Sequence, residues 1–269
     1  MAVSEPVPGQ GATPGSEAEG KAEAEGGHEA APAPKAGAAA GASSPGRHQV
    51  FEVDPRRTLL YRGERMIFVT ALWAWFRPKV TGAEHVPKTG PVILAPVHRS
   101  FADFGFAAFC TERKLFFMTK DEMWENKWLG KLLLTVGAFP VHRESADREA
   151  LQRAEEVLRQ GQVLVLFPEG TRRAGPVIED LMEGAAFLSA RTGAPIVPVG
   201  IGGSDLAMPK GSAIPKPRTI QVVIGPALPP PPRTGGGRVS RSAVHAATEA
   251  LVPALQAVYD EAREKTGRY

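Results

Sequence analysis

Two short runs of this 269-residue chain hold the residue types that proton transfer and anion binding need. The first is His98-Arg99-Ser100-Phe101-Ala102-Asp103. A carboxylate bonded to one imidazole nitrogen fixes the tautomer and steadies the imidazolium that forms. The other nitrogen is then free to take a proton from a substrate hydroxyl. Five positions along one helix turn about 140° off a shared face. The spacing therefore predicts His98 in a loop, Asp103 in a first helical turn and Ser100 as the N-cap. Ser100-x-x-Asp103 also has the form of a capping box, in which Asp103 would serve only the backbone. A metal pair is a third reading, and it lacks a third ligand cluster nearby.

The second run is Phe167-Pro168-Glu169-Gly170-Thr171-Arg172. Pro168 stops ladder pairing, and Gly170 lets backbone approach a ligand closely. Glu169 can orient neighbouring donors, and Thr171 offers a hydroxyl. Arg172 can grip a phosphate with a two-pronged guanidinium, and Arg173 adds charge. The plain alternative is a strand-to-loop turn carrying a solvated arginine pair.

Both runs need elements to place them. The apolar run 91–95 (PVILA) sits between Gly-Pro and Pro and predicts a buried strand ending just before His98. Residues 101–113 read as a helix, 114–118 as a strand, 124–135 as mostly helix and 137–142 as a strand. Residues 147–160 read as a helix with Leu151, Ala154, Val157 and Leu158 at helical spacing, stopped by Gly161. Strands follow at 163–167, 195–201 and 220–225, with helices at 57–76, 180–192 and 242–265. Strands alternating with helices predict an α/β fold, a mostly parallel sheet flanked by helices. In such sheets chemistry sits at the carboxyl ends of strands, where both runs fall.

Composition divides the chain. Residues 1–48 contain 13 Ala, 9 Gly, 6 Pro and 4 Ser, with no Ile, Leu or aromatic residue. Such a segment cannot bury enough apolar surface to offset chain entropy, so a disordered tail is expected, and it has no signal-peptide pattern. It carries a net charge of −3, which leaves +6 on 49–269. That basicity is too mild to imply nucleic acid without a clustered patch. Cys110 is the only cysteine, so no disulfide can form within the chain.

Residues 66–76 (MIFVTALWAWF) are uncharged but too short to cross a bilayer about 30 Å thick. Residues 54–79 hold six basic and two acidic side chains around this core. Basic flanks and terminal Trp73, Trp75 and Phe76 predict a helix lying on a membrane surface. The competing reading is a helix docked on the core. The expected organisation is a tail at 1–48, a basic helical membrane-association segment at 49–79 and an α/β domain carrying both runs at 80–269.

Four blocks occur in the order and spacing of the lysophosphatidic-acid acyltransferase family of glycerophospholipid acyltransferases, over roughly 80–225. HRSFAD (98–103) resembles the first block, 115–143 the second, FPEGTR (167–172) the third and APIVPVGIGG (194–203) the fourth. The resemblance implies that His98 is the general base on a glycerol hydroxyl and Asp103 its orienter. It implies that Arg143, Glu169, Gly170, Thr171 and Arg172 shape a glycerophosphate pocket. It implies an acyl thioester co-substrate, on coenzyme A or acyl carrier protein, and no cofactor or metal. The implied product is phosphatidic acid, made from a monoacyl glycerol-3-phosphate at the cytoplasmic face of the cell membrane. Glycerol-3-phosphate, another lipid or glycolipid hydroxyl, or a non-catalytic phospholipid-binding module remain alternatives. Two departures stand out: Val97 occupies a place where the family often has Asn, and Leu181-Met182-Glu183-Gly184 replaces a Lys-rich stretch. Lys210 is a candidate to restore charge there.

Overall fold

The computed structural model describes residues 55–120, 138–141, 146–209, 211–212, 214–232 and 240–267. The tail at 1–48, the helix expected at 124–135, Arg143 and Lys210 lie outside the described residues.

The strands are β1 (Lys79–Thr81), β2 (Val92–Pro96), β3 (Leu115–Lys120), β4 (Ala138–Val141), β5 (Val163–Val165), β6 (Ile196–Gly202) and β7 (Gln221–Ile224). They form one sheet in the order β1-β7-β6-β2-β5-β3-β4. The five strands from β6 to β4 run parallel. β7 is antiparallel to β6, and β1 is parallel to β7, so this edge runs the other way. The expected mostly parallel α/β sheet is present.

Side chains alternate across the central strand, as the period of two in an extended chain requires. Val92 and Leu94 enter one core, and Ile93 and Ala95 the other. Every residue of β2 is buried, because helices cover both faces. The described helices are α1 (Pro55–Phe76), α2 (Asp103–Ala107), α3 (Ala146–Arg159), α4 (Gly184–Thr192), α5 (Ser204–Ala207) and α6 (Arg241–Glu264). α3 and α4 pack over Ile93 through residues such as Leu158 and Leu188. α6 contributes Leu255 and Val258 beside Leu94.

α2 is shorter than the expected helix at 101–113. Beyond Ala107 the chain closes tighter turns, with Phe109 N–H on Phe106 O and Cys110 N–H on Ala107 O. The Arg65 guanidinium takes the carbonyls of Ala108 and Thr111 at 2.6 and 2.5 Å, which satisfies the unravelled end.

α1 is one helix with two unlike faces. Tyr61, Arg65, Phe68, Val69, Leu72 and Phe76 recur at helical spacing and turn inward. Leu72 approaches Gly105 so closely that a Cβ there would lie 2.8 Å from Leu72 Cδ1. Phe76 is a correction to the membrane-facing reading. It is buried and packs edge-on against Phe106 at 5.2 Å, because it falls on the inward face. Trp73 and Trp75 stay exposed, at 59% and 50%, as do Met66 and Ile67. No helix among the described residues is long and apolar enough to cross a membrane.

Candidate active site

β2 delivers His98 to the carboxyl edge of the sheet. Val97 N–H still bonds Val199 O, at 3.0 Å, and the chain then leaves the ladder. α2 begins at Asp103, so the pair stands as the spacing predicts: loop imidazole, first-turn carboxylate. Asp103 Oδ2 accepts from Arg99 N–H and Ser100 N–H, both at 2.7 Å, and lies 3.3 Å from His98 Nδ1. The capping and catalytic readings of Asp103 are therefore one arrangement on one oxygen. Asp103 is fully buried, and its Oδ1 has no hydrogen-bond partner among the described residues. A buried carboxylate needs such donors to offset its lost hydration.

Ser100 differs from expectation. The N-cap position is Ala102, and the Ser100 hydroxyl accepts from Ala102 N–H at 3.2 Å while donating to Met208 O at 2.9 Å. It ties the His98 loop to the segment after β6 instead of capping α2.

The His98 ring is held by aromatic faces. Phe167 lies 4.2 Å away, tilted 30°, and Phe104 meets the ring edge-on at 5.7 Å. Nδ1 is engaged by Asp103, and Nε2 has no hydrogen-bond partner among the described residues. The side chain is 11% exposed, so solvent or substrate reaches only a small part of it.

The FPEGTR run turns Phe167, Pro168 and Glu169 inward and exposes Gly170, Thr171 and Arg172. Glu169 Oε2 accepts His98 N–H at 2.8 Å, and Oε1 pairs with Arg99 Nη1 at 2.5 Å. Glu169 is 2% exposed and both its oxygens are committed to the His98 loop, so it orients neighbouring donors as expected and does not itself open to a ligand. An anion so placed shapes the site by holding its backbone. Arg173 N–H secures the other end of the same residue, on His98 O at 2.9 Å.

Arg99 joins the two runs. It donates to Gly175 O at 3.1 Å and Val177 O at 3.3 Å and lies 4.8 Å over the Tyr259 ring. Burial works against its charge, but Glu169, by hydrogen bond and charge, together with Tyr259 holds it above its ordinary value. No spacing rule pointed to Arg99, because the carboxylate and the 175–177 carbonyls that its guanidinium takes lie 70 or more residues away.

Gly170 sits at φ 67° and tightens the turn, with its N–H on Phe167 O. A Cβ there would lie 2.3 Å from Met182 Sδ, which packs on that backbone. Thr171, Arg172 and Arg173 are exposed. The Arg172 and Arg173 guanidinia have no ion-pair partner among the described residues. Two cations without a partner among the described residues thus stand on the turn that supports the His98 loop. Cys110 is fully buried, and burial pushes its thiol up to about 12, away from any nucleophilic role.

The geometry can deprotonate a hydroxyl beside an anion, and known proteins with related sequences fit that chemistry. The family model described as Acyltransferase matches residues 77–202. A 1-acyl-sn-glycerol-3-phosphate acyltransferase of Bacillus subtilis is 28% identical over 151 residues, which is 56% of this chain and 73% of that one. One from Pseudomonas aeruginosa is 28% identical over 60% of this chain and 63% of its own length. One from Chlamydomonas reinhardtii is 27% identical over 63% of this chain and 54% of its own length. The crystal structure of the 1-acyl-sn-glycerophosphate (LPA) acyltransferase PlsC from Thermotoga maritima has the same fold. It superposes with a TM-score of 0.61 at 22% identity, over 81% of this chain and 85% of that one. The His98–Asp103 pair and the FPEGTR turn both lie inside the matched span, so residues 77–202 are the part of the chain that matches the Acyltransferase family, and the chain is similar there to the 1-acyl-sn-glycerol-3-phosphate acyltransferases.

Proposed function

We propose that the protein moves a fatty acyl group from a thioester donor, acyl-CoA or acyl carrier protein, to the free hydroxyl of a monoacyl glycerol-3-phosphate. The observation that carries this reading is the His98–Asp103 pair with Nε2 open beside the cation-bearing turn. His98 Nε2 takes the hydroxyl proton as the oxygen attacks the thioester carbonyl. The tetrahedral intermediate then expels the thiolate, and the imidazolium returns the proton to it. The products are phosphatidic acid and the free thiol. Asp103 holds Nδ1 protonated and steadies the transient imidazolium. Arg172 and the Thr171 hydroxyl take the acceptor phosphate beside Gly170, and Arg143 is assigned the same role.

The protein works at the cytoplasmic membrane surface as a peripheral enzyme. Support comes from the exposed, uncharged outer face of α1 from Met66 onward, with Met66, Ile67, Trp73 and Trp75 toward solvent. Sedimentation with liposomes should weaken on Trp73→Ala plus Trp75→Ala; unchanged binding would remove that face from the account.

Purified protein given radiolabelled acyl-CoA or acyl carrier protein, with glycerol-3-phosphate or its monoacyl form, tests the acceptor. Label in phosphatidic acid, at the hydroxyl left free in the acceptor, is expected. Transfer to glycerol-3-phosphate alone, or to neither, would overturn the acceptor assignment.

A further inference from the structure

A second basic site lies outside the machinery described above. A cavity of about 330 Å³ opens where β1, the start of β7 and the end of α6 meet. Lys79, Arg218 and Lys265 line it, with Thr219. No carboxylate does; Glu261 reaches Lys265 from α6, at 2.5 Å. Lys79 and Arg218 have no ion-pair partner among the described residues. Two cations in one concave site, uncompensated, suit one phosphate group.

The cavity's neighbours say where that phosphate comes from. Ile220 bonds both ends of the turn leaving α1: its N–H donates to Phe76 O and its carbonyl accepts Lys79 N–H. Trp75 Nε1 donates to Pro215 O at 3.3 Å, fastening the 214–218 segment to the exposed end of α1. Ile214, next in the chain to the Pro215 that Trp75 holds, is 77% exposed, and Trp73 and Trp75 are exposed as well. An apolar, tryptophan-bearing rim next to a cationic hollow is the pairing that an acyl–headgroup boundary requires. The cavity also lies on the carboxyl edge of the sheet: Gln221 opposes Gly202, the last residue of β6, and β6 flanks β2. It is one to three strands from the His98 position, roughly 5–15 Å across the sheet.

We propose that the Lys79–Arg218–Lys265 cavity binds the phosphate headgroup of an anionic phospholipid, seating the protein on the bilayer with its active-site edge down. This rests on the membrane-surface reading above and names the lipid contact within it. It is separate from the acceptor site on the FPEGTR turn.

The test uses the full chain and vesicles of phosphatidylcholine alone or mixed equally with phosphatidylglycerol. Lys79→Gln plus Arg218→Gln is compared with Arg148→Gln plus Arg241→Gln, a change of equal charge on exposed positions of α3 and α6. The cavity pair should weaken partition to the mixed vesicles about tenfold, with little change on phosphatidylcholine. The control pair should weaken it far less, and circular dichroism should show both folded. Equal losses in the two pairs would mean diffuse charge attraction and overturn the cavity site. If inorganic phosphate raises the melting temperature of wild type but not of the cavity pair, while vesicle binding is the same in both, the ligand is a soluble phosphate and the lipid assignment is wrong. If wild type binds neither vesicle, the membrane reading itself fails and takes this site with it. If wild type binds and the cavity pair binds equally well, only the cavity proposal fails.

Discussion

The two halves of the active site are built on opposite principles. The half around His98 is buried and hydrogen-bonded: Asp103, Glu169 and Arg99 are 0%, 2% and 5% exposed and are bonded to the His98–Ser100 loop and to one another. The half proposed to meet substrate, Gly170 to Arg173, is exposed, and its guanidinia have no ion-pair partner among the described residues. A base must be oriented before substrate arrives, so its supports sit in the core. A phosphate grip gains by leaving its charge unmet until the ligand binds. The same six-residue run, FPEGTR, serves both halves, because Glu169 turns inward while its successors turn outward.

Substitutions should separate the halves cleanly. Asp103→Asn keeps the shape but removes the charge that fixes the imidazole, so kcat should fall by about 10²–10⁴. A change in acceptor KM alone would show that Asp103 serves only the backbone. Glu169→Gln leaves Arg99 buried without its counter-charge. The expected loss is about 3–5 kcal/mol of stability, read as a fall in Tm, with kcat dropping as the His98 loop loosens. Adding Arg99→Met should recover much of the Tm but not the rate; if Tm stays low, the pair is not the cause.

Arg172→Gln should do the reverse: acceptor KM rises roughly tenfold or more, while Tm is unchanged. A fall in Tm would mean that Arg172 belongs to the buried half. Cys110 gives the smallest and finest signal. With its thiol pushed up to about 12, native protein at pH 8 should label slowly with a thiol reagent. Glu169→Gln should label faster through local opening, and Arg172→Gln at the wild-type rate. Cys110 also sets a direction with pH. Its folded value lies above the unfolded one, so its contribution is intact below about 9 and is lost as pH rises toward 12.

What the sequence made legible was local. PVILA announced β2, the five-residue step set His98 and Asp103 in loop and helix, and the Gly170 turn marked the exposed half. What it hid was long-range. β1 is three residues long and exists because β7, some 140 residues later, offers it a ladder. The Arg99–Glu169 pair spans 70 residues and leaves no periodic trace. α2 ends early because Arg65, from another helix, takes its carbonyls. Phe76 shares a run with Trp73 and Trp75 but falls on the other face, which only the docking of α1 decides. Ser100 looked like a cap because its bonding partner, Met208 O, is 108 residues away.

The central claim is that His98 is the base. Single-turnover acyl transfer by wild type and His98→Ala, at saturating donor and acceptor, measures it directly. The account predicts a fall of at least roughly a hundredfold, with Tm little changed, since His98 is bonded to the site mainly through its backbone. A variant that transfers acyl groups at the wild-type rate would contradict it.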